Sequence, residues 1–162
     1  MVKTEKKSLK VGKYVDNEHA DTLIRNYKHE RWVYNSERIG KEDSLSSWYT
    51  IEELEEFIKT SKEYGADGIK FYFGAYPETF PARPEYAGRQ TILLVATKAK
   101  STEAGIANKN IYVKNGDKMQ ILAYNLGVLC PPWCQKVSPG TSHEANIGIT
   151  IVDRGEKGLT IV

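Results

Sequence analysis

The sequence predicts an α+β domain, and three observations carry the prediction. A capped amphipathic segment spans 50–64, apolar runs of strand character occupy 68–74 and 91–97, and Asn115-Gly116 stands between two short apolar segments. Two helices are expected on one face of a mainly antiparallel sheet of about four to six strands.

The chain is 162 residues long, enough for one domain with a core that stands without crosslinks. Hydrophobic residues at 40% and charged residues at 27% are ordinary for a folded protein and argue against disorder. The net charge of +2 is too small to indicate nucleic acid or an anionic membrane by itself. Nothing apolar follows the lysines of the first 17 residues, so the segment does not read as a secretory signal. No stretch approaches the roughly 18 apolar residues of a membrane span. A cytoplasmic protein is the expectation.

Taken in order, residues 1–15 carry Lys3, Lys6, Lys7, Lys10 and Lys13 with little to bury, which predicts a flexible basic tail before a single domain at 16–162. No arginine or aromatic interleaves these lysines in the manner of a nucleic-acid groove. Asp16 or Asn17 can cap a first helix, with Ala20, Leu23, Ile24, Tyr27 and Arg31 on one side and an end near Trp32 or Val33. The polar stretch 35–47, which contains Gly40, predicts a surface connection. Trp48 is expected to enter the core.

Thr50 and Glu53 have the spacing of a capping box, and Tyr49 and Leu54 that of a hydrophobic staple. Ile51, Leu54, Phe57, Ile58 and Ser61 form one stripe, and Gly65 ends the helix near 64. Ile69, Phe71 and Phe73 then alternate with Lys70 and Tyr72, so a strand is expected whose apolar face receives the helix. Pro77, Pro81 and Pro84 make 75–89 a long loop. Thr91–Thr97 reads as a central strand and 98–110 as polar connection. A hairpin with strands near 111–114 and 118–123 follows, and 147–162 reads as a second hairpin, a possible C-terminal extension.

No motif names a reaction. His29-Glu30 lacks the second histidine of a zinc-protease helix, and no phosphate-binding glycine loop or nucleophile elbow occurs. Cys130 and Cys134 have three residues between them where the helical redox motif needs two, and with His143 they make only three possible zinc ligands. A proline-stiffened turn with two reduced thiols is the reading adopted. The glutamates at 52–56 are explained by capping and the helix dipole. No catalytic residue, metal or cofactor is assigned.

The segments NYKHER (26–31), WYTIEELEEFI (48–58), GIKFYFGAYPE (68–78), TILLVAT (91–97) and NLGVLCPPWC (125–134) together resemble a group of small uncharacterised bacterial proteins. That resemblance implies no activity.

The long loop concentrates arginine and aromatic side chains, which either pack it onto its own sheet or meet a ligand. A binding or regulatory module without enzymatic activity is therefore expected, with Tyr72, Tyr76, Arg83 and Arg89 facing an unknown protein or small-molecule partner. Arg83 and Arg89 would offer planar donors to a carboxylate or phosphate, and Tyr76 an apolar face. Neither nucleic acid nor membrane is expected as partner. A small hydrolase or transferase using a histidine or cysteine near the 76–89 loop is the alternative from another class. An immunity or anti-phage partner protein is the third.

Overall fold

The chain opens on one continuous helical stretch in which α1 (Asn17–Tyr27) passes through a single π-helical turn (Lys28–Trp32) into α2 (Val33–Ile39). The structure is a computed structural model and describes residues 10–137, 151–153, 156 and 159–161. Asp16 caps α1, its side chain accepting from the His19 amide at 2.9 Å. The stretch runs past Trp32, where the sequence placed its end, because its stop signal is Gly40. Gly40 has φ 70°, the Lys41 amide donates to the Ser36 carbonyl at 3.1 Å, and the Gly40 amide donates to that of Glu37 at 3.2 Å. None of its residues is fully buried, and Leu23 of the expected stripe stands exposed.

The helix α3 (Ile51–Glu63) forms as expected. Thr50 Oγ1 accepts from the Glu53 amide at 3.0 Å while the Glu53 carboxylate accepts from the Thr50 amide at 2.9 Å. At its end Gly65 takes φ 84°, with Ala66 N–H on the Ser61 carbonyl and Gly65 N–H on that of Lys62, both at 2.9 Å. Among the described residues no helix is long and apolar enough to cross a membrane.

The strands are β1 (Ser46–Trp48), β2 (Gly68–Ala75), β3 (Gln90–Thr102), β4 (Gly105–Asn110), β5 (Tyr112–Asn115) and β6 (Lys118–Ile121). They continue as β7 (Ala123–Tyr124), β8 (Val128–Cys130), β9 (Lys136–Val137), β10 (Ile151–Asp153) and β11 (Leu159–Ile161). The fold is α+β, but its strands are shared among several antiparallel sheets instead of one. β2 and β4 flank β3, with β7 also on β3, whereas β5–β6, β1–β8 and β10–β11–β9 stand as separate sheets.

The hairpin expected at Asn115-Gly116 is present, shifted by one residue. Asn115 pairs with Lys118, so Gly116 and Asp117 form the loop. The C-terminal hairpin is present as well, with Ile151 opposite Ile161. What periodicity missed is the β3–β4 hairpin. Residues 98–110 carry lysine, asparagine and small side chains, yet pair in register from Thr97↔Asn110 to Thr102↔Gly105. Hydrogen-bonded pairing with a buried neighbour supplies what local propensity lacks.

The chain divides into two compact units, the first built mainly from Tyr49–Gly74 and Ile92–Leu126, the second from Lys13–Trp48, Ala75–Thr91 and Gly127–Val162. In the first, Phe57 of α3 meets Leu94 and Ala96 of β3, with Tyr49, Leu54, Ile69, Ile92, Leu122 and Tyr124 around them. The staple residues thus both pack on this core. Phe71 and Phe73 do not, remaining 62% and 84% exposed. The core centres on β3, and on the flanking strand β2 only Ile69 reaches it. Ile51 and Ile58 likewise lie outside, so the buried helix stripe is narrower than its sequence pattern.

In the second unit Trp48 is 61% exposed, contrary to expectation. The β1–β8 register explains why. Ser47 is opposite Leu129 and Trp48 opposite Val128, so alternation sends Ser47 and the fully buried Leu129 to one side and Trp48 to the other.

Two outcomes follow for the first unit. Phe57→Ala should cost about 3–5 kcal/mol, and Thr50→Ala about 0.5–2 kcal/mol, compared by urea unfolding midpoints. Glu53 supplies the pH test. Its carboxyl is held below the ordinary range, first by the Thr50 amide, then by the Tyr124 hydroxyl, which donates to it at 2.9 Å. A lowered folded pKa means the stabilisation is present above the unfolded value of about 4.3 and is lost as pH falls through the folded value. Glu53→Gln should therefore flatten the acid side of the stability–pH curve, measured by the same midpoints between about pH 5 and pH 3.

Candidate functional site

Tyr27 and Trp32 are five residues apart, a separation that an α-helix would turn by about 140°. The π turn, closed by the Val33 amide on the Lys28 carbonyl, widens the helix where both side chains find partners. The Tyr27 hydroxyl donates to Gln90 Oε1 at 2.6 Å, and Trp32 Nε1–H donates to the Asp43 carbonyl at 2.8 Å. One turn on, Ser36 Oγ accepts from the Asp43 amide at 2.9 Å.

Asp43 is the hub of this network and is only 3% exposed. Its Oδ1 accepts from the Ser44 amide at 2.8 Å and from the Gln90 amide at 2.6 Å. The Ser44 hydroxyl donates in turn to the Gln90 carbonyl. A buried carboxylate holding two amides satisfies the requirement that interior charge be hydrogen-bonded. Burial, and secondarily the nearby Asp43 charge, push the Tyr27 hydroxyl above its usual range.

Arg89 adjoins this network and is 8% exposed. Its Nε donates to the Glu85 carbonyl at 2.8 Å, while its Nη1 is buried with no hydrogen-bond partner among the described residues. Burial lowers the guanidinium pKa, and the carboxylates of Asp43 and Glu42 oppose that shift. The charge is thus balanced, but one donor is left over.

The other expected site residues fall differently. Tyr76 is buried, its ring 4.7 Å from that of Phe80 and 5.7 Å from that of Tyr86, and its hydroxyl lies 3.3 Å from Thr91 Oγ1. With Leu129 these three aromatics form a core of the second unit. Arg83 lies 4.6 Å over the Tyr86 ring, its Nε donating to the Glu85 carboxylate at 2.9 Å and its Nη2 to the Tyr86 hydroxyl at 3.0 Å. Glu85 is held below the ordinary carboxylate range, first by its own backbone amide and then by Arg83 and Trp133. Tyr72 belongs to the first unit, where its hydroxyl donates to Asn110 Oδ1 at 3.2 Å. The second unit therefore gathers Tyr76, Arg83 and Arg89.

Cys130 and Cys134 are joined in a disulfide, correcting the reading of two reduced thiols. Their spacing fits neither a helical redox motif nor a zinc site, but the Pro131-Pro132 turn brings the two Cα atoms to 4.7 Å, within bridging range. His143 lies outside the described residues. Among the described residues no group of His, Cys, Asp and Glu gathers to hold a metal ion.

Sequence reasoning missed Tyr27, Trp32, Ser36, Asp43, Ser44 and Gln90. The available signal was Gly40, which as a helix stop would have carried the helix to 39 and put Ser36 within one short turn of Asp43. Compared with models of known families, with curated proteins and with solved structures, the chain matches none.

Asp43→Ala would leave the Ser44 and Gln90 amides without their acceptor and Arg89 with Glu42 alone as compensating charge. Each buried donor stranded costs about 1–3 kcal/mol, so this substitution should rank among the most destabilising in the second unit, as thermal and urea unfolding will show.

Proposed function

We propose that the protein is a binding module without enzymatic activity, and that it takes an oxygen acceptor of its ligand on the guanidinium of Arg89. One observation carries the reading: Nη1 of Arg89 is buried and has no partner among the described residues. A stranded donor of this kind is costly unless something satisfies it, and a ligand acceptor is one way to satisfy it. The surrounding shell supports pre-organisation. Arg89 follows a proline-rich loop packed by Tyr76, Phe80 and Tyr86, and its Nε is already anchored, so little freedom remains to be lost on binding.

The chemistry of the acceptor follows from the charges. Asp43 and Glu42 already face Arg89, so a phosphate dianion would bring a second excess of negative charge into a half-dry site. An amide carbonyl, or at most a single carboxylate, satisfies the donor at lower cost. A peptide or a small carboxamide fits that description, a narrower class than the carboxylate-or-phosphate expectation from sequence.

The hydrolase or transferase alternative gains no support. Cys130 and Cys134 are spent in their bridge, and His19 and His29 are exposed on the N-terminal helix. Disulfides persist mainly in oxidising compartments, so the bridge favours such a compartment over the cytoplasm expected from sequence.

The test is side-chain NMR of arginine-labelled protein titrated with N-acetylglycinamide, acetate and inorganic phosphate. The amide and the carboxylate should shift the Arg89 Nε and Nη resonances, with phosphate the weakest. Arg89→Lys keeps the charge but loses the planar donor pair, and should abolish the response in a protein whose circular dichroism is unchanged. Titrations that leave the Arg89 signals in place, or a lysine variant that binds as well, would refute this function.

A further inference from the structure

The face of the first unit's sheet turned away from α3 has a composition unlike the rest of the molecule. A Cβ on Gly68 would stand 3.1 Å from Thr97 Oγ1, which places Gly68, and by alternation Lys70 and Tyr72, on the face of Thr97. The β3–β4 register, Thr97↔Asn110 and Ala99↔Asn108, adds both asparagines to that face. On the opposite side Ile69, Leu94 and Ala96 meet Phe57 of α3. The outer face therefore carries polar and aromatic side chains on its flanking strands β2 and β4, while Val95 and Thr97 of β3 between them are buried.

Tyr72 reaches from β2 across β3 to Asn110 on β4, so its ring lies along the sheet, and the Lys70 ammonium stands 5.9 Å from the ring centroid. Beside it is a depression of about 450 Å³ lined by Lys70, Ala107, Asn108, Lys109, Asn110 and Tyr112. That volume suits one small ligand, within the roughly 300–1,000 Å³ usual for such sites. No acidic side chain is among the described lining residues. The helix α3 carries Glu52, Glu53, Glu55, Glu56 and Glu63 against Lys59 and Lys62, while the strands carry Lys70, Lys98, Lys100, Lys109 and Lys114, of which Lys98 lies 4.0 Å from Asp67. The overall charge of +2 thus conceals a separation of sign between helix and strands.

We propose that this depression binds a nucleotide, with the base stacked on the exposed ring of Tyr112 or along Tyr72, the Asn108 and Asn110 amides on base edges, and the phosphate beside Lys70. Each part of the lining has a matching part of the ligand. Aromatic platforms accept any base because every base has a π-face, side-chain amides offer a donor and an acceptor together, and lysine is a compact charge for phosphate. A bare anion would leave the aromatic rings unused, and an uncharged sugar would leave the lysine unused. The same chemistry belongs to a free mononucleotide and to one unit of a single strand. This site lies in the first unit and is independent of Arg89.

Uridine 5′-monophosphate, an eight-residue uridine oligonucleotide and inorganic phosphate are the probes, followed by amide NMR and, for a labelled oligonucleotide, by fluorescence anisotropy. Both uridine ligands should shift the amides of 107–112, and Tyr112→Ala and Lys70→Glu should each weaken binding by at least about five-fold. Tyr14→Ala, a change at another exposed tyrosine, should bind as the unaltered protein does. Oligonucleotide binding that is tighter and falls with salt identifies a single strand as the natural ligand. Equal affinity for the monomer identifies a free nucleotide. The proposal is overturned if neither uridine ligand shifts 107–112, if phosphate alone reproduces the shifts and affinity, or if the folded Tyr112 and Lys70 variants bind unchanged.

Discussion

Burial of β3 on both faces is the constraint on which the first unit depends. Leu94, Val95, Ala96 and Thr97 are at most 2% exposed, so no peptide group there can turn to water. The strand meets this requirement with many partners instead of one. β2 takes one edge, β4 and β7 share the other, and the gaps are closed by Leu122 and Ile111, whose carbonyl and amide bond the Ala96 amide and carbonyl. The Asn125 side chain donates to the Ile92 carbonyl at 2.8 Å. Four short pieces of chain are thereby fixed about one strand, and the position of α3 follows because Phe57 has its apolar contact at Leu94 and Ala96.

The second unit is organised by a different kind of interaction. Its helical stretch buries no residue completely and presents Tyr27, Trp32 and Ser36 as hydrogen-bonding groups, so polar pairing in place of apolar area ties it to Asp43 and Gln90. Polar networks of this sort are sensitive to small displacements because an interior hydrogen bond, once lost, is not replaced by water. The π turn becomes intelligible in that light. It trades regular helical bonding for a placement of Tyr27 and Trp32 that satisfies two buried acceptors. Arg89 differs from the other members of the network, since its Nη1 finds no acceptor among the described residues.

Local signals proved legible and relational ones did not. The capping box at Thr50, the glycine stop at Gly65, the strand at 68–74, the central strand after Thr91 and both hairpins rest on interactions within a few residues, and periodicity or turn chemistry reports those directly. The exposure of Trp48 rests on its register against Val128, a partner 80 positions away in the chain. The β3–β4 hairpin likewise depends on pairing that lysines and asparagines do not advertise. For the candidate site, arginine content drew attention to the loop that carries Arg89, but Asp43, which gives Arg89 its surroundings, was indistinguishable from any acidic residue of a surface connection. Only its burial makes it different, and an exposure of 3% is a property of the fold.

The two candidate sites show why bulk charge is a poor guide to recognition in this chain. Around Arg89 a cation is already matched by Asp43 and Glu42, so the free quantity is a hydrogen-bond donor, and directional chemistry decides what binds. On the outer sheet face Lys70 is separated from the glutamates of α3 by the thickness of a β-sheet, about 10 Å of helix-to-sheet layering. That distance is comparable with the screening length at physiological salt, near 8 Å, so the acidic helix scarcely cancels the field of Lys70 at the depression. A net charge near zero is consequently compatible with a locally basic surface, provided the two signs are segregated across a sheet instead of interspersed on one face.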